Sequence, residues 1–458
     1  MRARRHALGH ASHRPFGAGA PLAACLVWTA ACGQEAQVAP GLTPEPADVS
    51  YAVHGQLTYT EQEVDRFRAP YQGTNSLTPD RGQETVDATL YLGYRPWGGA
   101  ELWVNPEVDQ GRGLDNTLGV AGFPSGEAYK VGRNRPYFRL HRLFIRQTHD
   151  LSDDAEVVDG GANQLGGSRA KDRWVITVGK MSVTDIFDTN QYAHDPRGDF
   201  LNWSAIDAGS LDYAADAWGY TVGAAAELYR SSWVVRGGIF DLSDVPNSTH
   251  LQSGFHQFQW LGEVEHHHTL GAMPGKLQTT LYQSYGHMAL LADAVAAAGS
   301  AGTNPLPASV RGYRSRSGVS LNIEQALTSD IAVFARAGAA SGNVEAYEFT
   351  DIDRSVVGGL SARGTHWRRA GDVAGFAYVQ NRISTVRQEY LDAGGLGILV
   401  GDGRLPHAGP ESIAEAYYNA SLAPWANVSV DVQRISNPAY NRDRGPVSVF
   451  AVRVHLQF

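Results

Sequence analysis

The last seven residues of the chain alternate apolar and polar side chains and end on an aromatic residue. Because side chains alternate between the two faces of a strand, one face is entirely apolar and carries Val452, Val454, Leu456 and Phe458. The other face is polar and carries Arg453, His455 and Gln457. The closing strand of a transmembrane barrel needs an apolar outside and tolerates a polar lumen. This ending therefore predicts a β-barrel in the bacterial outer membrane.

Composition argues against crossing a membrane with helices. After residue 40, no stretch approaches the roughly 20 apolar residues that a membrane helix needs, and the mean hydropathy of the chain is -0.28. The 20 Tyr, 10 Trp and 51 Gly favour a barrel instead. A net charge of -9 argues against a nucleic-acid partner, since binding phosphates requires a dense basic surface.

The amino-terminal region reads as an export signal. Three arginines within the first five residues precede a small and apolar run, residues 17–31, that is too short to anchor the chain. We expect residues 1–36 to be a signal peptide and processing region and residues 37–50 a short linker. Residues 51–458 are then expected to form a single transmembrane barrel domain.

Alternating runs predict an all-β fold, a transmembrane antiparallel up-and-down β-barrel of about 16 strands. Residues 51–59 form the clearest run, and residues 86–95 and 100–105 form a hairpin around the turn sequence Pro96-Trp97-Gly98-Gly99. The other predicted strands are 137–148, 173–181, 218–229, 232–240, 257–266, 276–286, 316–325, 330–339, 355–364, 371–381, 411–421, 426–435 and 447–458. The number is even, as single-chain bacterial barrels require, and a barrel of this size encloses an aqueous channel.

The predicted connections alternate between short turns, such as Pro424-Trp425, and long segments. The long segments are 182–217, 287–315 and 382–410. Outer-membrane barrels show this asymmetry, with short turns on the periplasmic side and long loops outside. Residues 149–172 break the rule, because a long acidic and glycine-rich segment falls where a short turn is due. It is either a longer periplasmic excursion or the sign of a miscounted strand.

The run 138–147 is rich in arginine and departs from strict alternation of polar and apolar residues. In a regular strand, Arg142 and Arg146 would lie on the same face as apolar neighbours such as Phe144. A β-bulge would resolve the conflict. A charge on the lipid face near the midplane costs roughly 2–4 kcal/mol, so we expect most of these arginines to face the lumen. There they either form a ladder that binds hydroxyl groups or anions, or pair with acids of the wall and stiffen it.

Two long segments are candidates for loops that fold into the barrel mouth. Residues 105–136 are too apolar for a disordered loop, so they should pack inside the barrel. Residues 182–217 interleave seven aspartates with aromatic residues. Carboxylates accept hydrogen bonds from sugar hydroxyls, and aromatic faces cover the apolar face of a pyranose. The alternative is that these acids hold the loop together or bind calcium.

Metal binding and hydrolytic catalysis find little support. The three consecutive histidines His266-His267-His268 point in alternating directions along a strand, so they cannot all chelate one ion. No Gly-x-Ser-x-Gly sequence is present to supply a nucleophile. The sequence therefore predicts neither a metal site nor an enzyme.

Several segments together resemble the carbohydrate-selective porin family, the OprB-like outer-membrane porins. The first matching stretches are Gly113-Leu114-Asp115-Asn116-Thr117-Leu118-Gly119-Val120-Ala121-Gly122-Phe123, Gly126-Glu127-Ala128-Tyr129-Lys130 and Arg142-Leu143-Phe144-Ile145-Arg146-Gln147-Thr148. The later ones are Thr184-Asp185-Ile186-Phe187-Asp188, Tyr192-Ala193-His194-Asp195-Pro196-Arg197, Asp199-Phe200-Leu201-Asn202-Trp203 and Asn437-Pro438-Ala439-Tyr440-Asn441-Arg442-Asp443-Arg444-Gly445-Pro446. The resemblance spans most of the chain after the export signal.

The resemblance implies a sixteen-stranded channel for passive uptake of sugars, with a constriction lined by charged and aromatic residues and no cofactor. The candidates for substrate binding and constriction are Arg139, Arg142, Arg146, Glu107, Glu127, Asp195, Arg197 and Trp203. Expected partners are carbohydrates such as glucose, outer-membrane lipid and the barrel-assembly machinery, which would bind the strand ending at Phe458. Porins of this size often form trimers, so a homotrimer is a further expectation.

The leading interpretation is an outer-membrane porin for carbohydrate-selective diffusion into the periplasm. A general or anion-preferring porin is the alternative within transport, because the same arginines would attract small anions. An adhesive barrel with a plugged lumen and a barrel enzyme are alternatives from other classes. The adhesin predicts negligible conductance, and the enzyme requires a catalytic site at the barrel rim.

Overall fold

The computed structural model describes residues 49–252 and 254–458, which contain a closed antiparallel barrel of 16 strands. Its first eight strands are β1 (Tyr51–Val64), β2 (Arg81–Tyr94), β3 (Ala100–Gly111), β4 (Arg133–Asp150), β7 (Arg173–Met181), β8 (Thr221–Arg230), β9 (Trp233–Asp241) and β10 (Phe258–Leu270). The others are β11 (Met273–Met288), β12 (Gly312–Ala326), β13 (Ile331–Ala340), β14 (Arg354–Gly364), β15 (Arg369–Arg382), β16 (Glu411–Ala423), β17 (Ala426–Ser436) and β18 (Val447–Gln457). The predicted fold and all sixteen predicted strands are confirmed. The predicted signal region and most of the linker lie outside the described residues.

The barrel closes because β1 pairs with β18 as well as with β2. Thr58 lies opposite His455 on β18 and opposite Asp87 on β2. In this closed arrangement neither terminal strand leaves an open edge, whose unpaired amides and carbonyls would be costly in hydrocarbon. The last residue completes the seam, because Gly55 and Phe458 exchange two backbone hydrogen bonds of 3.0 Å.

In the two terminal strands, apolar side chains face the lipid and polar side chains face the lumen. On β18, Val452 is 47% exposed and Arg453 is 1% exposed, and on β1, Val53 is 54% exposed and Thr58 is 1% exposed. Over residues 51–59 and 450–456 the exposed side chains are apolar and the polar side chains are buried or half-buried, which is the inverse of a water-soluble protein and fits a lipid-facing outside.

The connections divide as the sequence predicts. Short turns occupy residues 95–99, 231–232, 271–272, 327–330, 365–368 and 424–425. The opposite end of the barrel carries loops 65–80, 112–132, 182–220, 242–257, 289–311, 341–353, 383–410 and 437–446. By the usual orientation of bacterial barrels, the short-turn end faces the periplasm.

Three α-helices lie in the long loops, namely α1 (Trp203–Ile206), α2 (Leu291–Ala301) and α3 (Thr385–Asp392). Among residues 49–252 and 254–458, no helix is both long enough and apolar enough to cross a membrane.

Residues 151–172, which join β4 to β7, are a periplasmic excursion and contain no additional barrel strand. They form a two-stranded hairpin of β5 (Ala155–Val158) and β6 (Gly167–Ala170), which pair only with each other. We call residues 151–172 the periplasmic hairpin. Of the two readings of this segment, the excursion is therefore correct and the strand count stands.

The irregular alternation of side chains along β4 comes from a β-bulge. Asn105 of β3 pairs with Arg142, and the next residue, Pro106, pairs with Leu140, so His141 has no partner on β3. Proline has no amide hydrogen to donate, which makes it suited to such an irregular position. His141 and Arg142 consequently both face the lumen, as the predicted bulge requires.

Two extracellular loops fold into the barrel, and we call residues 112–132 and 182–220 the first and second inward loops. Glu411 of β16 accepts hydrogen bonds from the Ala121 and Gly122 amides of the first loop. Glu415, four residues further along β16, accepts hydrogen bonds from the Leu201 and Asn202 amides of the second inward loop. The predicted insertion is confirmed for residues 112–132 and for the second segment, and carboxylates of the far wall hold both loops. The predicted bounds 105–136 of the first segment were too wide, because residues 105–111, including Glu107, belong to β3 and residues 133–136 belong to β4.

Candidate functional site

One side of the barrel interior remains open where the inward loops do not fill it. A cavity of about 850 Å³ runs along strands β1–β4 and β7–β9, and it is lined by these strands, by both inward loops and by the periplasmic hairpin. The opposite wall is occupied by the second inward loop. There Arg336 of β13 donates to the carbonyls of Ala205 and Ala193. The passage is therefore eccentric, and charged groups of the wall and of the loops face each other across it.

Arg142 joins the barrel wall to the second inward loop. Its guanidinium donates two hydrogen bonds to the Asp185 carboxylate, with Nε to Oδ2 at 2.8 Å and Nη2 to Oδ1 at 2.7 Å. A third donor, Nη1, lies 3.4 Å from the Tyr220 hydroxyl. The fork matches a carboxylate in two places, which fixes the plane of the guanidinium. Arg142 is thus oriented at the cavity surface.

Arg197 joins the second inward loop to the first. Its Nε lies 3.4 Å from the Glu127 carboxylate, and its Nη2 lies 3.4 Å from the Asp87 carboxylate on β2. These distances are longer than those of Arg142, and Nε meets no hydrogen-bond acceptor with good geometry among the described residues. A guanidinium carries five donors. Because Nε is itself buried, any hydrogen bond from Arg197 to a solute in the cavity comes from the terminal nitrogens of its 15% exposed side chain.

Aromatic rings lie beside the two arginines. Trp203 stacks on Phe123 with ring centroids 5.3 Å apart, which packs the second inward loop on the first. Tyr220 stacks on His141 at 4.2 Å. Tyr91 of β2 also lines the cavity. These rings give the constriction apolar surface between its charged groups.

The cavity lining is balanced in formal charge. Its cationic side chains are the seven arginines Arg95, Arg142, Arg146, Arg169, Arg173, Arg197 and Arg236. Its acidic side chains are the seven carboxylates Glu101, Glu127, Asp150, Asp185, Asp195, Asp207 and Glu227. Burial raises the pKa of Glu127 well above its usual range, so the lining carries at most a small net positive charge, and it offers many hydrogen-bonding groups without a strong field that would concentrate ions of one sign.

Local surroundings shift the acids of the loops in different directions. Burial tends to raise the pKa of Asp185, but the charge and hydrogen bonds of Arg142 outweigh burial and hold that pKa below its usual value. Burial raises the pKa of Glu127 well above the usual range, with Arg197 opposing the shift and Asp87 adding to it. Burial also raises the pKa of Asp207 to about 6, against the opposing effect of His194. Asp185 is therefore ionised over the whole physiological range, whereas Asp207 titrates within it.

Comparison with known proteins identifies the family. Residues 74–458 match the carbohydrate-selective porin, OprB family. The chain belongs to this family. It is an outer-membrane porin that is selective for carbohydrates, and its family and fold are those of a channel rather than of an enzyme. No curated protein sequence matches the chain.

The chain is similar to several solved structures of outer-membrane proteins, and the first of them shares its fold. The high pH structure of Pseudomonas putida OprB is 15% identical, with a TM-score of 0.66 over 89% of this chain and 94% of that chain. The low pH structure of the same protein has a TM-score of 0.48 at 12% identity, over 89% and 93% of the two chains. The outer membrane channel DcaP of Acinetobacter baumannii has a TM-score of 0.46 at 9% identity, over 91% and 99%.

Six of the eight residues proposed from the sequence line the porin's cavity. They are Arg142, Arg146, Glu127, Asp195, Arg197 and Trp203. The other two do not line this cavity. Glu107 is 1% exposed and accepts hydrogen bonds from Thr89 and Tyr129. Arg139 lies over the ring of Trp218 at 3.4 Å and pairs with Asp216 at the same distance.

Glu107, Asp109 and His141 form a buried cluster whose ligand-type atoms all lie within 4.8 Å of one another, so the cluster could hold a metal ion. His141 Nε2 is 3.2 Å from the Asp109 carboxylate and 3.6 Å from the Glu107 carboxylate. Hydrogen bonding and ion pairing between these atoms account for the same geometry. The cluster fixes the bulged segment of β4 that carries Arg142.

Sequence reasoning did not nominate Asp185, Asp87 or Tyr220 individually. Asp87 lies on the polar face of β2, which alternation alone would have placed in the lumen. Asp185 belongs to the acid-rich segment, but its pairing with Arg142 spans 43 residues and has no local signal. The hydroxyl of Tyr220 becomes relevant only because the bulge at His141 turns Arg142 inward.

Proposed function

We propose that neutral sugars such as glucose bind weakly between Arg142 and Arg197 on their way through the porin. Sugar hydroxyls both donate and accept hydrogen bonds, so they fit a site in which guanidinium donors alternate with carboxylate acceptors. Asp185 and Glu127 would supply the acceptors. Each arginine already pairs with one of these acids, which orients the donors before a sugar arrives.

The observation that carries the proposal is the equal number of arginines and carboxylates along one cavity. An anion-preferring channel needs a net positive lining, and a cation channel needs a net negative one. Seven arginines stand beside seven carboxyl groups, and only Glu127 among those acids has a pKa that burial raises well above the usual range, so the lining is close to neutral and favours a solute that is polar and uncharged. Tyr91, Tyr220 and Trp203 line the same cavity, and the ring edges and faces not covered by His141 and Phe123 are the apolar surface available to a pyranose.

Conduction requires that the bound sugar leaves quickly. An affinity in the millimolar range corresponds to about -4 kcal/mol, which is enough to favour entry over water without trapping the solute. The sites offered by Arg142 and Arg197 are already shared with carboxylates, so a sugar competes for them and gains only part of their hydrogen-bond energy. Weak binding therefore follows from the pairing itself.

Liposome swelling tests the sugar site. We expect the double variant Arg142→Ala with Arg197→Ala to reduce the preference for glucose over an uncharged disaccharide by several-fold. Arg382→Ala is the matched control, because Arg382 is an exposed strand arginine whose side chain bonds to Gln380. Equal glucose preference in the double variant and the control would reject the proposed site.

The strand that ends at Phe458 is proposed as the recognition element for the barrel-assembly machinery, supported by its alternation and its terminal aromatic ring. A Phe458→Ser variant should then reach the outer membrane in lower amount, which quantitative immunoblotting of membrane fractions measures. The homotrimer stays a prediction. Its test is the mass of the detergent-solubilised porin by analytical ultracentrifugation.

A further inference from the structure

The periplasmic hairpin is much longer than the neighbouring turns. The other periplasmic connections among the described strands have between two and five residues, as at 231–232 and 95–99, whereas residues 151–172 connect strands that are already hydrogen-bonded to each other at Asp150 and Arg173. Two residues would suffice to join strands in that register. The extra length is therefore not needed to close the barrel.

The hairpin turns back into the lumen. At its tip, the side-chain amide of Asn105 on β3 donates a hydrogen bond to Asn163 Oδ1 at 2.7 Å. Arg146 on β4 donates one to the backbone carbonyl of Asn163 at 2.9 Å. The Leu165 amide donates to Glu101 at 3.2 Å. Asn105 is five residues inside the periplasmic end of β3 at Ala100, or about 17 Å along the strand at roughly 3.3 Å per residue.

The tip reaches the level of the constriction. Asn105, which the tip contacts, is the register partner of Arg142. Ala162, Asn163 and Gln164 line the same cavity as the constriction arginines. A solute that has passed Arg142 therefore meets the hairpin tip before it reaches the periplasm.

The tip is anchored and compact. Gly161 and Gln164 exchange two backbone hydrogen bonds of 2.9 and 3.1 Å, with Asn163 in the left-handed conformation at φ 59°. Leu165 is 3% exposed and belongs to the core cluster that includes Trp103 and Phe144. Anchoring by a buried leucine, two side-chain contacts and a tight turn gives a fixed obstacle rather than a loose strand end.

Strands β7–β9 line the same cavity as the tip and carry groups that suit a sugar. Arg173 of β7 lies over the ring of Tyr229 at 3.8 Å, and the Tyr229 hydroxyl donates to Glu227 at 2.8 Å. Arg236 donates to the same carboxylate at 2.9 Å. Donors, acceptors and an aromatic ring therefore continue below the constriction, on the side that faces the hairpin.

We propose that the tip of the periplasmic hairpin, residues 159–167, is a second selectivity element that limits the size of the sugars leaving the channel. The proposal rests on the sugar-transport function proposed above and adds an exit filter to it. The upper constriction selects by hydrogen bonding to hydroxyls. The hairpin narrows the path by its volume, so it should exclude disaccharides more strongly than monosaccharides.

The test replaces residues 151–172 of the full-length porin by Asn-Gly, a two-residue turn that fits the register of Asp150 and Arg173. We expect the single-channel conductance to rise at least twofold and the disaccharide-to-glucose swelling ratio to rise several-fold. The glucose concentration that half-blocks the current should change less than the swelling ratio, because Arg142 and Arg197 remain. Unchanged conductance and unchanged disaccharide exclusion in a folded barrel would overturn the proposal.

A point variant keeps the proposal testable if the shortened chain does not fold. Leu165→Ala loosens the buried anchor of the tip, and Leu151→Ala is the control, since Leu151 lies at the hairpin base and is 48% exposed. Disaccharide flux should rise in Leu165→Ala and stay at the wild-type level in Leu151→Ala. Equal flux in both variants would count against the filter. Absence of sugar block in the wild type would instead contradict the proposed sugar site and leave the size measurements to judge the hairpin.

Discussion

Arg142 can act through its charge or through its hydrogen-bond donors, and the Arg142–Asp185 pair allows the two roles to be separated. Arg142→Ala removes a guanidinium that is bonded twice to Asp185, at 2.7 and 2.8 Å. A hydrogen bond to a charged group contributes about 1.5–3 kcal/mol. Loss of one such bond to a sugar should raise the half-blocking sugar concentration about tenfold, which is the lower end of this range at about 1.4 kcal/mol per factor of ten, because Asp185 already shares the guanidinium.

A second variant, Asp185→Asn, keeps the guanidinium donors of Arg142 and removes one negative charge. With Arg142→Ala and the double variant it completes a double-mutant cycle. We expect it to leave the half-blocking concentration within about threefold of wild type, because neutralising the acid removes a competitor for the guanidinium. The double variant restores the balance of charges in the cavity but lacks the donors. Its sugar block should therefore be as weak as that of Arg142→Ala.

Planar-bilayer recordings give both readouts from one sample. Current block by glucose measures the sugar site, and the reversal potential in a potassium chloride gradient measures ion selectivity. Arg142→Ala should shift selectivity towards cations and Asp185→Asn towards anions, with the double variant close to wild type. Recovery of sugar block in the double variant would show that charge rather than donated hydrogen bonds controls the site, and it would refute the reasoning.

Two further outcomes follow from the loops and the seam. The pKa of Asp207 is raised to about 6 by burial, so its carboxyl is neutral below that pH and charged above it. Cation selectivity should therefore rise as the pH passes 6, and reversal potentials of Asp207→Asn should lose this step. At the seam, a Cβ on Gly55 would lie 2.3 Å from the Phe458 ring. The Phe458 side chain is 77% exposed and its ring can shift, so Gly55→Val should lower the thermal unfolding temperature measured by circular dichroism only slightly more than Ala88→Val on the lipid face of β2.

The barrel could be predicted from local sequence patterns because the same physical constraint applies to every strand. Lipid outside and water inside impose a period of two on every strand, and turn residues mark the ends. The ends themselves were less accurate. The first strand continues to Val64 rather than 59, and β8 begins at Thr221 rather than 218. Beyond the hydrocarbon the alternation no longer has to be apolar, so the sequence signal of β1 fades before the strand does. At β8 the error is the reverse, because residues 218–220 belong to the second inward loop.

The site was predicted less completely than the fold, because its contacts join distant segments. Alternation and the expected bulge placed Arg142 in the lumen, but nothing local indicated that Asp185 would bind it. The inward loops are held by Glu411 and Glu415, more than 200 residues away in sequence. Residues 149–172 could be recognised as unusual from their length and acidity, whereas their insertion into the lumen depends on Asn105, Glu101 and Arg146 of neighbouring strands.

Single-channel conductance of the purified wild-type porin, titrated with glucose, tests the central claim most directly. The pairing of arginines and carboxylates along a balanced cavity predicts an open channel whose current is blocked by glucose in a saturable manner at millimolar concentration. A simple anion at the same concentration should produce no saturable block. An open channel that glucose does not block would contradict the account, because it would mean that the cavity conducts without binding sugar.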